Sequence, residues 1–318
     1  VDRRRAQTVV AWIVAIPFGA WAVIRLFGLD RGFPLEAMMP FTPYVAAAAV
    51  AAATLALVLR RWAPAVLAVL AALSLGAVVL PRQFGDGTVS AAGRQTLNVL
   101  AANVHRGHAY PDGVIHLVDE LHPDVLTIEE YTQRFGRELT VAGIDSRLAY
   151  HVLDTAKSSS GTAIYSRYPL RRLPSGGHNL FKMARAEASL PGGRRLKIVA
   201  VHPYPPMRRS VTGEWEEVLS SMPSGGQGTP WLLAGDFNAT FDQAPFRELV
   251  GRGYRDAGET AGKGLDATFP ADGSLFPPPI TIDHILADER FGIVDYEVEP
   301  LPNSDHHAIF AELALPDG

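Results

Sequence analysis

The chain contains no cysteine. Disulfides, thiolate metal sites and cysteine nucleophiles are therefore excluded. Histidine is missing from the first hundred residues, and all ten histidines lie at or after His105. No strand-to-helix turn carries a GxGxxG or Walker A pattern, which argues against nucleotide cradles of those kinds. No serine sits in a GxSxG elbow. Charge is scarce at the start. Residues 1–93 hold 8 Lys/Arg and 4 Asp/Glu, whereas residues 94–318 hold 21 and 29, so a basic segment precedes an acidic one. The 318 residues thus join two segments of different character.

Three long apolar runs fill the first segment: TVVAWIVAIPFGAWAVIRLFGL (8–29), FTPYVAAAAVAAATLALVL (41–59) and WAPAVLAVLAALSLGAVVL (62–80). Each approaches the roughly 20 residues that cross a hydrocarbon core, so a membrane domain with three transmembrane helices is expected over 1–81. Pro17 is tolerated in such a helix, and Arg25 lies close enough to its end to snorkel. A cleaved signal peptide is the alternative for the first run, but its length and the lack of a small-residue cleavage signal argue against that. Buried core helices are the alternative for the Ala-rich runs. Arg3, Arg4 and Arg5 precede the first run, and Arg60 and Arg61 separate the second from the third. The positive-inside rule puts both groups in the cytoplasm. The expected topology is a multi-pass cell-membrane protein with a cytoplasmic N-terminus. A Gly/Ser/Ala-rich linker (82–93) then leads to an extracellular domain over 94–318.

That second segment reads as a layered α/β domain. Short apolar runs predict buried strands: TLNVLAANV, PDVLTIEE, GTAIYSR, RLKIVAVH, PWLLAGDF, ITIDHILA and HHAIFAEL. Helical patterns fall at 111–121, 213–222 and 243–253, and the sheet is expected to be mixed or antiparallel.

Several of these strands end in residues a core would not choose. They are Asn103 and His105, Glu129 and Glu130, His202 and Tyr204, Asp236 and Asn238, Asp283 and His284, and Asp305 and His306. Singly, each reads as a turn former or cap. Jointly, six strands deliver carboxylate, amide or imidazole where they emerge. Oxygen-rich donors with few imidazoles suit Mg²⁺, Mn²⁺ or Ca²⁺ better than Zn²⁺.

In order, LNVLAANVHRG, PDVLTIEEY, GTAIYSRYPL, VHPYPP, LLAGDFNAT, TIDHILAD and SDHHAIFAEL resemble the successive motifs of the DNase I-like endonuclease/exonuclease/phosphatase superfamily. The resemblance covers nearly all of 94–318. It implies a four-layer α/β sandwich, two packed mixed sheets flanked by helices, with the site at one edge. It implies that Glu130, Asn103 and Asp305 serve a metal, Mg²⁺ or Mn²⁺, with Glu129 where the family usually has Gln. It implies that His202 contacts the scissile phosphate and that Asp236 and Asn238 orient water and hold phosphoryl oxygens. Asp283 would buttress His306, and either Asp236 or His306 would take the water's proton. His307 is expected on the far face of a strand. Tyr204, His105 and Arg208 are candidate substrate contacts, and Arg208 belongs to a 207–218 loop that reads either as a lid or as a plain helix entry capped by Thr212.

An acidic domain lowers the odds of a nonspecific nuclease, which gains affinity from basic residues. A membrane anchor would place the site among lipid phosphates. The combined architecture is similar to membrane-anchored actinobacterial VanJ-like proteins associated with teicoplanin resistance. That resemblance implies hydrolysis of undecaprenyl pyrophosphate during cell-wall lipid recycling, and no protein partner is inferred from the sequence. An anchored nuclease or phospholipid phosphodiesterase is the alternative, and a binding-only member is disfavoured by the full set of catalytic residue types.

Overall fold

The computed structural model describes residues 3–85, 87–174, 183–274 and 276–316. The first segment forms helices α1 (Arg3–Phe27), α2 (Leu35–Met38), α3 (Thr42–Val58) and α4 (Trp62–Val79). Together with the short turns that extend them, they give three helices long and apolar enough to cross a membrane. Their packing inverts that of a soluble bundle. Ala46, Ala49 and Ala53 of α3 and Ala65, Ala68 and Ala71 of α4 are buried, while Val50, Leu55, Leu70 and Leu73 face outward. Small residues let the helix backbones approach, and the large apolar side chains are left for a lipid-like surround.

The second segment is built from two six-stranded sheets. The strands are β1 (Thr96–Asn103), β2 (Val125–Glu129), β3 (Tyr150–Asp154), β4 (Thr162–Ser166), β5 (Leu170–Arg172) and β6 (Arg185–Ser189). They continue with β7 (Arg195–Val201), β8 (Trp231–Asp236), β9 (Tyr254–Asp256), β10 (Asp283–Asp288), β11 (Gly292–Glu299) and β12 (Ala308–Ala314). The sheet orders are β11-β12-β1-β2-β4-β3 and β5-β6-β7-β8-β10-β9. Each sheet has one parallel pair at its centre, β1 with β2 and β7 with β8, and antiparallel neighbours outside it. The expected mixed sheets are therefore present. Val99, Ile164, Ile198, Ala234, Ile285 and Ile309 meet between them in the main core.

Helices cover both outer faces. On one side lie α5 (Pro111–Leu121) and α6 (Gln133–Val141), whose Val114, Val118, Phe135 and Leu139 pack on the first sheet. On the other lie α7 (Arg209–Ser221) and α8 (Ala244–Val250), anchored by Trp215, Leu219 and Phe246. The short α9 (Ala257–Thr260) follows β9. This is the expected four-layer sandwich.

Three local expectations are corrected. The strand after SDHH starts at Ala308, so His306 and His307 lie in the turn before it and their different surroundings do not come from strand alternation. Thr212 is not a cap: α7 begins at Arg209, and the Thr212 hydroxyl donates to the Arg208 carbonyl within the first turn. Arg25 does not snorkel. Its guanidinium is buried against the α/β domain, 2.9 Å from Asp242 and 2.9 Å from the Phe241 carbonyl.

Asp242 also accepts two bonds from Arg82, at 2.9 and 2.6 Å, and all three side chains are buried. The Ala244 N–H donates to Asp30, and the Gln243 amide donates to the Glu36 carbonyl. The apolar helices and the sandwich thus meet through a polar contact centred on the loop after β8, in which Asp30 Oδ1 and both Glu36 carboxyl oxygens are buried without a hydrogen-bond partner.

Candidate active site

The site forms where the two parallel strand pairs end. β1 delivers Asn103, β2 delivers Glu130 one residue past its end, β7 delivers His202 and β8 delivers Asp236. β10 begins with Asp283, and the turn before β12 supplies Asp305 and His306. Seven described non-glycine residues have positive φ, and four of them are His105 (46°), Arg106 (55°), Glu130 (58°) and Asn238 (48°). Left-handed backbone is strained for such residues and persists where surrounding structure holds it. Gly235 of GDFN sits at φ 135°, where an added Cβ would lie 2.5 Å from Glu129 Oε1. Only glycine fits that approach.

A cleft of about 400 Å³ opens here, lined among others by Glu130, His202, Asp236, Asn238, Asp305 and His306. Tyr204 and Arg208 also line it. His105 does not, but its Nδ1 lies 3.4 Å from Asp305. At the centre, His306 Nδ1 is 2.9 Å from Asp283 Oδ2, and its Nε2 is 3.8 Å from Asp236 Oδ2. His202 Nε2 is 3.6 Å from the same Asp236 oxygen and 3.8 Å from Glu130. Asp236 is held by the Asn238 N–H at 2.8 Å and the Asn103 amide at 3.1 Å. The Asn103 oxygen accepts from the His105 N–H, so Asn103 acts here as a brace for Asp236. Asn238 is itself pinned by donating to the Pro203 carbonyl at 3.0 Å.

Burial sets the electrostatics. It pushes Asp236 up to about 7, with the charges of Asp283 and Glu130 adding and His306 opposing. Burial also disfavours a charged His306, but the carboxylates of Asp283 and Asp236 outweigh it and lift the imidazole to about 10. Asp283 goes the other way: burial opposes ionisation, yet the His306 charge and hydrogen bond hold it below the usual carboxylate range. Burial, with the nearby His306 charge, lowers His202 to about 3, so that imidazole is neutral. Burial raises Glu130 and lifts Glu129 well above its ordinary value.

Three contributors were not legible in the sequence. Phe269 packs its ring 4.9 Å from that of His306. Thr268 Oγ1 accepts from the Ile282 and Asp283 N–H groups. The Arg106 N–H donates to Glu130 Oε2 at 2.7 Å. Only Arg106 had a local signal, as the residue after His105. His307 is absent from the cleft lining, as expected, and His284 turns away to Asp256.

A model of the Endonuclease/Exonuclease/phosphatase family matches residues 96–306, which is most of the chain and all of the site. The chain belongs to that family. It is accordingly a divalent-metal-dependent phosphoester hydrolase. A search of curated proteins returned no match. Among solved structures, the family member from Beutenbergia cavernae DSM 12333 is 18% identical, covering 70% of this chain and 72% of that one, with a TM-score of 0.53. A humanized D. rerio TDP2 is 17% identical over 69% of this chain and 98% of that one, with a TM-score of 0.55. A 3′ phosphatase from Neisseria, bound to product DNA hairpin, is 18% identical over 68% and 98%, with a TM-score of 0.51. At these identities the likeness is one of fold.

The residues present suit the family's cation. Glu130 and Asp305 face one cleft with no thiol nearby, and burial together with neighbouring carboxylates holds Glu130 and Asp236 above their usual range. A hard divalent ion relieves that repulsion and prefers such oxygens. Glu130 and Asp305 line that cleft, and Asp236, Asp283 and His306 bring ligand atoms within 4.8 Å of one another, so these are the groups among the described residues that would hold it. When bound it supplies Lewis-acid polarisation of a phosphoryl oxygen.

Proposed function

We propose that this family member is tethered to the outer face of the cytoplasmic membrane and hydrolyses a lipid pyrophosphate, with undecaprenyl pyrophosphate as the first candidate. One observation carries the reading. The segments 268–274 and 276–282 reach the reaction centre and touch the apolar helices as well. Phe269 packs on His306 and pairs with Ile280, while the neighbouring Pro279 carbonyl accepts from Tyr44 in the first turn of α3. The cleft mouth therefore lies close to the end of a candidate membrane span. Its surroundings are apolar and exposed: Phe276 of the second segment is 86% exposed and Met207 on the cleft rim is 60% exposed. Exposed apolar groups beside a membrane helix suit an acyl or prenyl chain. Cell-wall lipid recycling, and through it glycopeptide resistance, would be the physiological setting.

The chain's own residues divide the work. Asp236, braced by Asn103 and Asn238, orients the attacking water and takes its proton. His306 is held in one orientation by Asp283 and presents Nε2–H to the phosphoryl oxygens. Asn238 and neutral His202 add donors where charge develops. The test uses full-length protein in detergent with Mg²⁺. Phosphate release from a polyprenyl pyrophosphate is compared with nicking of supercoiled plasmid, alongside His306→Ala and Glu130→Ala. The reading requires phosphate release that both substitutions abolish, with plasmid intact. Nicking without phosphate release would identify an anchored nuclease instead.

A further inference from the structure

A second cavity of about 500 Å³ shares the lining residue Arg106 with the cleft. Arg106, His108, Arg134, Arg137 and Lys157 line it, and no carboxylate does. Elsewhere on this acidic domain many exposed arginines are paired: Arg147 with Asp119, Arg172 with Asp154, Arg171 with Glu187 and Arg290 with Asp288. Within the cavity Arg134 is engaged by Glu138 and the Gly107 carbonyl. Among the described residues no carboxylate lies within ion-pair distance of Arg106, Arg137 or Lys157. In a domain with 29 acidic and 21 basic residues, unpaired cations gathered round one cavity are an anion site in waiting. Arg106 lines both cavities, and its backbone N–H holds Glu130. The cationic cavity is thus a neighbour of the metal side of the reaction centre through Arg106.

We propose that this cavity is the leaving-group subsite and that it takes a second phosphoryl group. The inference rests on the pyrophosphate reading and narrows it. Water adds its oxygen to the scissile phosphorus and passes its proton to Asp236. The bond to the bridging oxygen breaks, and that oxygen keeps the electron pair and leaves as part of the second phosphate, among Arg106, Arg137 and Lys157. The same cations repel a choline or ethanolamine leaving group, which sets the site against ordinary phospholipid headgroups.

The test compares two non-hydrolysable inhibitors of bis-p-nitrophenyl phosphate hydrolysis by the full-length protein: methylenediphosphonate, with two phosphoryl groups, and methylphosphonate, with one. The wild type is expected to bind the diphosphonate about tenfold or more tightly, as one or two charge-assisted contacts allow. Arg137→Glu with Lys157→Glu removes that preference at an unchanged melting transition, and Arg137→Lys with Lys157→Arg keeps it. A preference missing in the wild type, or surviving charge reversal, overturns the subsite. If the preference behaves as expected while polyprenyl pyrophosphate is not turned over, the lipid reading fails and the subsite stands.

Discussion

At the scale of single residues, the site depends on which groups are buried beside which. His306 and Asp283 form a buried charged pair, so replacing either changes chemistry before it changes shape. Asp283→Asn keeps the volume but removes the charge that orients the imidazole, and is expected to lower kcat about 10²–10⁴-fold with little effect on KM. Steady-state phosphate release checks this, and a change confined to KM would contradict it. His284 shows how a neighbour of identical type takes a different role. Its Nδ1 faces Asp256 at 2.8 Å and its Nε2 faces the Ala239 carbonyl at 2.9 Å, so both ring nitrogens meet acceptors. Burial opposes the charged form, but Asp256 and these bonds raise the pKa. A raised folded value gives stability that is full below the ordinary imidazole value of about 6.5 and is lost as pH climbs through the folded one. The melting midpoint of the wild type should therefore fall relative to that of His284→Gln as pH rises above about 6.5. A constant difference between the two proteins across that range would rule out a charged His284.

At the scale of elements, the contact between helices and sandwich turns on one carboxylate. Asp242 neutralises Arg25 from α1 and Arg82 from the segment after α4, all three buried. Removing one partner of a buried ion pair strands the other, at a cost of about 3–5 kcal/mol. Asp242→Ala should lower the thermal midpoint of the detergent-solubilised protein markedly, while Asp272→Ala, in a loop, should not. Equal effects would mean the contact contributes nothing. Sequence patterning found the strands that end at the site because each is a short apolar run buried on both faces. It passed over α6, although Thr132 caps the Phe135 N–H and Phe135 and Leu139 share one face. It also passed over β3, β5, β6, β9 and β11, whose mixed or brief patterns carry little periodicity. Register and sheet order are long-range choices that no such window contains.

At the scale of the whole molecule, the absence of cysteine makes topology directly measurable. A cysteine placed at Val141, which is 88% exposed on the sandwich, should react with a membrane-impermeant maleimide in intact cells. One placed at Arg5 should react only after permeabilisation. The reverse pattern would put the sandwich in the cytoplasm and remove the outer-leaflet substrate. Metal dependence is a property of the assembled site as well. Chelation should abolish phosphate release, and Mg²⁺ or Mn²⁺ should restore it, whereas activity in full chelator would break the link between Glu130 and the chemistry.

The chain by itself determined the apolar helices, the layered α/β class and most of the polar residues that line the cleft. These rest on local pattern and ordered motifs, and a motif such as GDFNA or SDH needs no partner to be read. Only the tertiary structure decided that Arg25 and Arg82 turn inward to Asp242, that Phe269 covers His306, and that Arg106 joins the cleft to a cationic cavity. Each of these depends on groups far apart in the chain meeting in a low-dielectric interior. There burial and neighbouring charge set protonation and pairing, and sequence spacing carries no trace of either.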